Sequence, residues 1–212
     1  IELTRIHMEE DSGKSSHDID PFDTLIDLNR AGVPLLEIVT EPVFKNGKEA
    51  YNYLIEMRKL VRYLDICDGN MEEGSMRCDV NVSIMPIGSK EFGQRVEVKN
   101  MNSISNVEKA IEHEIVRLAG VLDSGGKVLQ ETRNFDANTG ETIALRKKED
   151  AHDYRYFPEP DLTALHITQD YINEVKKNLP ALPNDLYKKY VTVLKLSDYD
   201  STNLTDSKGI AL

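Results

Sequence analysis

Hydrophobic and polar residues alternate along several short segments of the chain, which is typical of strands with one buried face. Residues 2–11 form one such segment. Residues 26–42 predict a strand, a Gly-Val-Pro corner and a second strand rich in Leu, Ile and Val. Residues 75–85 and 94–101 alternate most clearly, and the short connection between them favours antiparallel pairing.

Two longer segments repeat apolar residues every three or four positions and predict helices that cover this sheet. The first begins at Asn46, with Glu49 three positions later, and the second begins at Ser105 and ends at Gly125-Gly126. A hairpin over 128–135 and 141–146, a strand over 162–167 and a helix over 170–178 follow. Together these elements predict an α+β fold with a largely antiparallel sheet.

A change of amino-acid composition near residues 178–183 predicts a domain boundary. Pro180 and Pro183 precede a short amphipathic stretch and a tail rich in Ser, Thr, Asn and Asp. We therefore expect residues 1–178 to form one domain and residues 179–212 to begin a truncated helical domain.

The amino-acid composition and net charge of the chain limit the classes of function that it could have. With 40% hydrophobic and 30% charged residues, the 212-residue chain has the composition of a globular protein. Its net charge of -11 argues against nucleic-acid binding through a broad basic surface. Cys67 and Cys78 have neither disulfide-framework nor zinc-site spacing, so we expect a reducing, cytoplasmic location. No apolar run reaches membrane-spanning length, so no membrane partner is expected.

Glu37 interrupts the apolar run of residues 33–39, where neither face of a strand offers it an obvious route to water. Burying an unpaired carboxylate costs several kcal/mol. Three explanations stay open at this point: a shifted pKa, a salt bridge for which Arg30 is the nearest candidate, or a bound metal ion.

Antiparallel pairing of 75–85 with 94–101 would place six polar residues on one face of the sheet. This charged floor consists of Arg77, Asp79, Asn81, Arg95, Glu97 and Lys99. A solvated face with cross-strand ion pairs is the alternative to a site. The GKSS sequence (residues 13–16) lacks the first glycine of a phosphate loop and a following helix, which argues against a phosphate-loop ATPase.

Six blocks together resemble one known family, the B subunits of the tRNA-dependent amidotransferases. The blocks are HMEEDSGKS (7–15), DLNRAGVPLLEIVTEP (27–42), MEEGSMRCDVNVS (71–83), VEVKNMNS (96–103), ETRNFD (131–136) and DYRYFPEPDL (153–162). The resemblance implies a curved, glutamine-synthetase-like cradle and a carbon-nitrogen ligase. Proteins of this family use ATP and Mg²⁺ to phosphorylate the side-chain carboxylate of misacylated Glu-tRNA(Gln) or Asp-tRNA(Asn). Ammonia from the amidase then forms the amide.

The resemblance also implies partners and site residues. The partners are the A subunit, which is the amidase, the small C subunit and misacylated tRNA, in a heterotrimer of the bacterial cytoplasm or of an organelle. The implied roles are metal binding for Glu10 and Glu37, catalysis for Asp79, Glu97, Lys99 and Arg77, and nucleotide binding for Arg155. The family's first strand, roughly GLEVHVEL, and its carboxy-terminal domains are missing, so we expect this fragment alone to be inactive.

Two other function classes remain open. The region could be a non-catalytic docking scaffold that joins tRNA to the amidase, in which case Mg²⁺-ATP would show no saturable binding. It could also be an amide ligase for a small molecule, which would act without tRNA. The preference between Glu-tRNA and Asp-tRNA also stays open.

Overall fold

The structure is a computed structural model that describes residues 1–16, 19–147 and 163–211. The chain divides into two compact units, Ile1–Lys45 and Asn46–Leu212, and each is described by itself. Among the helices of the described residues, none is both long enough and apolar enough to cross a membrane.

The first unit contains two separate two-stranded antiparallel sheets. Strand β1 (Leu3–Glu10) pairs with β4 (Pro34–Thr40), and β2 (Lys14–Ser16) pairs with β3 (Leu25–Asp27). The two strands predicted within residues 26–42 are therefore present, but they pair with different partners. Gly32 closes the corner between them at a φ of +78°, and its N–H donates to the Asp11 carbonyl at 2.9 Å.

The prediction that β4 is buried on both faces is wrong. The β1–β4 sheet has only two strands, and no further layer among the described residues of this unit covers it. Its apolar side chains are accordingly exposed: Ile6 is 55% and Met8 is 77% accessible. The Glu37 side chain is 45% accessible, so its carboxylate avoids most of the desolvation penalty that its apolar neighbours suggested.

The second unit contains a four-stranded sheet in the order β5-β6-β7-β8, which comprises β5 (Val80–Val82), β6 (Val96–Lys99), β7 (Glu131–Asp136) and β8 (Glu141–Lys147). The β5–β6 and β7–β8 pairs are antiparallel, as predicted, although β5 and β6 are shorter than the alternating segments that contain them. The β6–β7 pair is parallel because a long helix connects the two strands.

Two helices of this unit lie close to the predicted ranges. Helix α1 (Gly47–Tyr63) begins after Asn46, whose side chain accepts from the Glu49 N–H. Helix α2 (Ile104–Asp123) is capped by Ser103, two residues before the expected Ser105, because the Ser103 side chain accepts from the Asn106 N–H at 3.1 Å. Its carboxyl end reaches Gly125 at a φ of +77°, as predicted. The buried core includes Val96, Val98, Val107, Ala110, Leu118 and Phe135.

Four helices follow: α3 (Gln169–Asn178), α4 (Pro183–Thr192), α5 (Asp198–Leu204) and α6 (Lys208–Ala211). Helix α3 is confirmed, whereas residues 163–167 have no regular structure and the strand predicted over 162–167 is wrong there. Its alternating Leu165 and Ile167 are 75% and 54% accessible, and no described strand supplies backbone partners. The α+β class is confirmed. The cradle and the boundary near 178–183 stay predictions.

A buried carboxylate joins α2 to β7 and β8. Glu114 is fully buried, and Arg117 donates to both of its oxygens at 2.9 and 2.8 Å. The Thr142 hydroxyl also donates to Glu114, and the Arg133 Nε lies 3.4 Å from the same carboxylate oxygen. Burial acts to raise the pKa of Glu114, but these hydrogen bonds and the two arginine charges outweigh it and hold the pKa below its ordinary value.

We expect Glu114→Gln to lower the free energy of unfolding by about 3 kcal/mol at pH 7, because two arginines lose the charge that compensates them. The lowered pKa in the folded state stabilises the protein above the unfolded-state pKa of about 4.3, and this stabilisation disappears as pH falls through the folded-state pKa. The difference from the wild type should therefore shrink in acid. Urea unfolding over a pH series from 7 down to about 2.5 measures it.

Glu56→Gln is the matched control, since Glu56 is an exposed glutamate on α1. It should change the free energy of unfolding by less than about 0.5 kcal/mol. Equal unfolding free energies for Glu114→Gln and the wild type at pH 7 would contradict the stabilising role of this network.

Candidate functional site

In the first unit, the β1–β4 register brings an imidazole and two carboxylates together. His7 lies opposite Glu37, and the His7 Nε2 is 2.9 Å from a Glu37 oxygen and 2.7 Å from a Glu9 oxygen. These three residues form the histidine cluster. Their potential ligand atoms lie within 4.8 Å of one another, a spacing that could hold a metal ion.

Both ring nitrogens of His7 have hydrogen-bond partners. The Arg5 Nε donates to the His7 Nδ1 at 3.2 Å, so the geometry assigns the ring proton to Nε2, which then donates to the carboxylates. The hydrogen bond to His7 lowers the pKa of Glu9, and this effect exceeds the opposing effect of burial, which raises it. A metal ion at this point would take the place of that ring proton.

The predicted ligands Glu10 and Glu37 lie on opposite faces of the β1–β4 pair. Glu10 is opposite Pro34, and its side chain points to the face opposite to that of the neighbouring Glu9. Glu37 shares the face of His7 and Glu9. The salt bridge considered between Glu37 and Arg30 is not formed. Arg30 instead lies 3.7 Å from Asp11, because the turn at Gly32 brings it toward the end of β1.

In the second unit, three residues of the charged floor are in direct contact. The Lys99 ammonium donates to Asp79 and lies 3.2 Å from a Glu97 oxygen. We call these three residues the carboxylate–lysine triad. Burial acts to lower the pKa of Lys99, but the hydrogen bonds and negative charges of Asp79 and Glu97 outweigh it and raise the pKa above its ordinary value.

The other predicted residues are more dispersed. Asn81 lies opposite Glu97 across the β5–β6 pair. Arg77 donates through Nε to the Gly74 carbonyl at 3.3 Å, and Arg95 is exposed just before β6. Arg155 lies outside the described residues.

Sequence reasoning did not select His7, Glu9 or Thr132. Strand alternation did place His7 and Glu9 on one face, but only the register of β1 against β4 adds Glu37 to them. Thr132 reaches the charged floor because β7 lies parallel to β6, and its hydroxyl donates to Glu97 at 3.0 Å. The chain pattern alone carries no signal for that pairing.

Comparison with known proteins gives consistent matches. Residues 1–173 match the family described as the GatB/GatE catalytic domain. The whole chain is 54% identical to a Geobacter sulfurreducens protein, 52% to one from Crocosphaera subtropica and 48% to one from Thermodesulfovibrio yellowstonii. Each relative is named as the B subunit of an aspartyl/glutamyl-tRNA(Asn/Gln) amidotransferase. The chain spans 45%, 44% and 44% of their respective lengths.

We expect Asp79→Asn to lower the pKa of Lys99, because the ammonium loses its closest negative partner. The pH dependence of trace acetylation at Lys99, followed by mass spectrometry, measures this pKa. Asp123→Asn removes an exposed carboxylate at the end of α2 and should leave Lys99 unchanged. An unaltered Lys99 titration in Asp79→Asn would contradict the triad.

Proposed function

The chain belongs to the GatB/GatE catalytic domain family, and on that premise we propose that it activates the side-chain carboxylate of Glu-tRNA(Gln) or Asp-tRNA(Asn). The activation is phosphorylation by ATP, and ammonia from an amidase partner then forms the amide. The observation that carries this proposal is the identity of about half of all residues, along the whole chain, with proteins named as B subunits of the amidotransferase.

The chemistry explains why ATP is needed. A carboxylate is a poor electrophile because neither oxygen is a good leaving group at neutral pH. In the proposed reaction, a carboxylate oxygen attacks the γ-phosphorus of ATP and ADP leaves. Ammonia then attacks the carbonyl carbon, inorganic phosphate leaves with the former carboxylate oxygen, and the nitrogen loses a proton.

The histidine cluster offers a fit for Mg²⁺. Mg²⁺ is usually held by one or two carboxylates, with water and substrate phosphates completing its coordination, and Glu9 and Glu37 supply that carboxylate pair. Imidazole is a less typical partner for Mg²⁺ and suits softer ions better. Glu9 and Glu37 would hold the ion, and His7 would orient them or become a third ligand. Glu10 remains a predicted ligand by resemblance to the family.

When bound, Mg²⁺ neutralises phosphate charge during phosphoryl transfer. The second unit has a source of positive charge of its own in Lys99, and the contacts with Asp79 and Glu97 raise the pKa of this ammonium despite its partial burial. Asp79 and Glu97 fix the direction of that ammonium through direct contacts. In this proposal Lys99 stabilises the transferred phosphoryl group, with help from Arg77, and one of the two carboxylates accepts the proton that the ammonia nitrogen loses.

Substrate and partners follow from the same premise. We propose the amidase or A subunit, the small C subunit and misacylated tRNA as the partners of the complete protein. The net charge of -11 fits an arrangement in which most phosphate contacts to tRNA lie outside this chain. The family's match to residues 1–173 supports a role for this chain in the activation step rather than in tRNA recognition.

We expect Glu37→Ala, in the complete amidotransferase complex, to reduce ATP-dependent activation of misacylated tRNA at least about 100-fold, because the cluster loses a metal-binding carboxylate. Affinity for tRNA should stay unchanged. Phosphate release that depends on misacylated tRNA measures activation, and filter binding measures tRNA affinity.

Glu2→Ala is the control, since it removes an exposed carboxylate just before β1 and outside the histidine cluster. Undiminished activation in Glu37→Ala would overturn the metal assignment. Absence of saturable Mg²⁺-ATP binding to the wild-type complex would favour the docking scaffold, and equal activity on free glutamate would favour a small-molecule ligase.

A further inference from the structure

Thr132 is a buried hydroxyl residue beside the carboxylate–lysine triad. It lies in β7, directly opposite Glu97 of the parallel strand β6. Its side chain faces the charged floor, and the residue is only 7% accessible. A hydroxyl buried to this extent needs a hydrogen-bond partner, and Glu97 supplies one at 3.0 Å.

The hydrogen bond divides the two oxygens of Glu97 between two donors. Oε2 accepts from the Thr132 hydroxyl, whereas Oε1 faces the Lys99 ammonium at 3.2 Å. A carboxylate that is held at both oxygens keeps one rotamer and one plane, because rotation would break the contact at each end. Lys99 is held in turn between Glu97 and Asp79.

The opposite side of β7 explains why the Thr132 hydroxyl is fixed in space. The next residue, Arg133, points to the helix-covered side, where it donates to Glu131 at 2.6 Å and to the Thr142 hydroxyl at 2.8 Å. It also lies against the fully buried Glu114 of α2. These contacts hold β7 in place from the helix-covered face. The position of the Thr132 hydroxyl relative to Glu97 is therefore fixed.

We propose that Thr132 is a positioning residue that sets the orientation of Glu97 and, through it, the direction of the Lys99 ammonium. The part of this inference that concerns the reaction rests on the proposed function, in which Lys99 stabilises the transferred phosphoryl group. In this proposal Thr132 acts through Glu97 and not on the substrate. Its contribution is a hydrogen bond from a short hydroxyl side chain to Glu97.

Three variants in the complete amidotransferase complex test this role. Thr132→Val keeps the shape of the side chain and removes the donor, whereas Thr132→Ser keeps the donor. Thr205→Val is the matched control, because Thr205 is also a buried threonine and its hydroxyl donates to the Ser201 carbonyl of α5, not to the triad.

The first readout is the rate of ATP-dependent activation per nucleotide-binding site, which corrects for any loss of folded complex. We expect Thr132→Val to lower kcat about 10-fold or more, with KM for ATP and for misacylated tRNA within about 2-fold of the wild type. Thr132→Ser should restore most of the rate. Thr205→Val should lower the thermal stability and keep kcat per site.

The second readout is the pH dependence of trace acetylation at Lys99 in the same complexes, which does not depend on the reaction. Release of Glu97 should weaken its contact with Lys99, so the pKa of Lys99 should fall in Thr132→Val and stay at the wild-type value in Thr132→Ser. A wild-type kcat in Thr132→Val, or a serine variant as defective as the valine variant, would overturn the inference.

The two readouts separate this inference from the proposed function. If the wild-type complex shows no tRNA-dependent cleavage of ATP, the proposed function fails. An altered Lys99 titration in Thr132→Val would then still support the positioning role, and an unaltered one would overturn it. If the wild-type complex is active and Thr132→Val keeps the wild-type kcat, the inference alone fails.

Discussion

The buried carboxylate of Glu114 is the constraint on which the four-stranded sheet depends. An uncompensated charge at that position would cost several kcal/mol, so Arg117, Arg133 and Thr142 must stay within hydrogen-bonding distance of it or close by. These three residues belong to a helix and two strands that are distant in the sequence. Satisfying one carboxylate therefore fixes α2 against β7 and β8, while Val96 and Val98 of β6 are buried in the core beside them.

Strand β7 links this constraint to the chemistry of the opposite face. Side chains of successive residues point to opposite sides of a strand, so Arg133 faces the buried network and Thr132 faces the charged floor. The contacts of Arg133 on one face of β7 therefore fix the position of the Thr132 hydroxyl on the other face. The contact between Glu97 and Lys99 is thereby held in one arrangement, which fits the role proposed for Lys99 in stabilising developing charge.

Local sequence patterns predicted the individual helices and strands of this structure better than they predicted which strands pair with each other. Alternation around Val80 and Val98 correctly gave an antiparallel pair and placed Asp79, Glu97 and Lys99 together, because a short connection leaves few other pairings. Alternation carries no information about which distant strands become neighbours, so the parallel β6–β7 pair and Thr132 were missed. Glu37 shows a further limit: apolar neighbours suggested burial, but burial depends on whether another layer covers the strand.

The proposed function rests on phosphorylation of the side-chain carboxylate before it is amidated. The most direct test supplies the complete amidotransferase complex with ATP, glutamine and tRNA carrying glutamate labelled with ¹⁸O in both side-chain carboxylate oxygens. The mass of the inorganic phosphate released is then measured. We expect one ¹⁸O atom in each phosphate formed with the amide, because the carboxylate oxygen leaves with the phosphoryl group. Amide formation with unlabelled phosphate would contradict it.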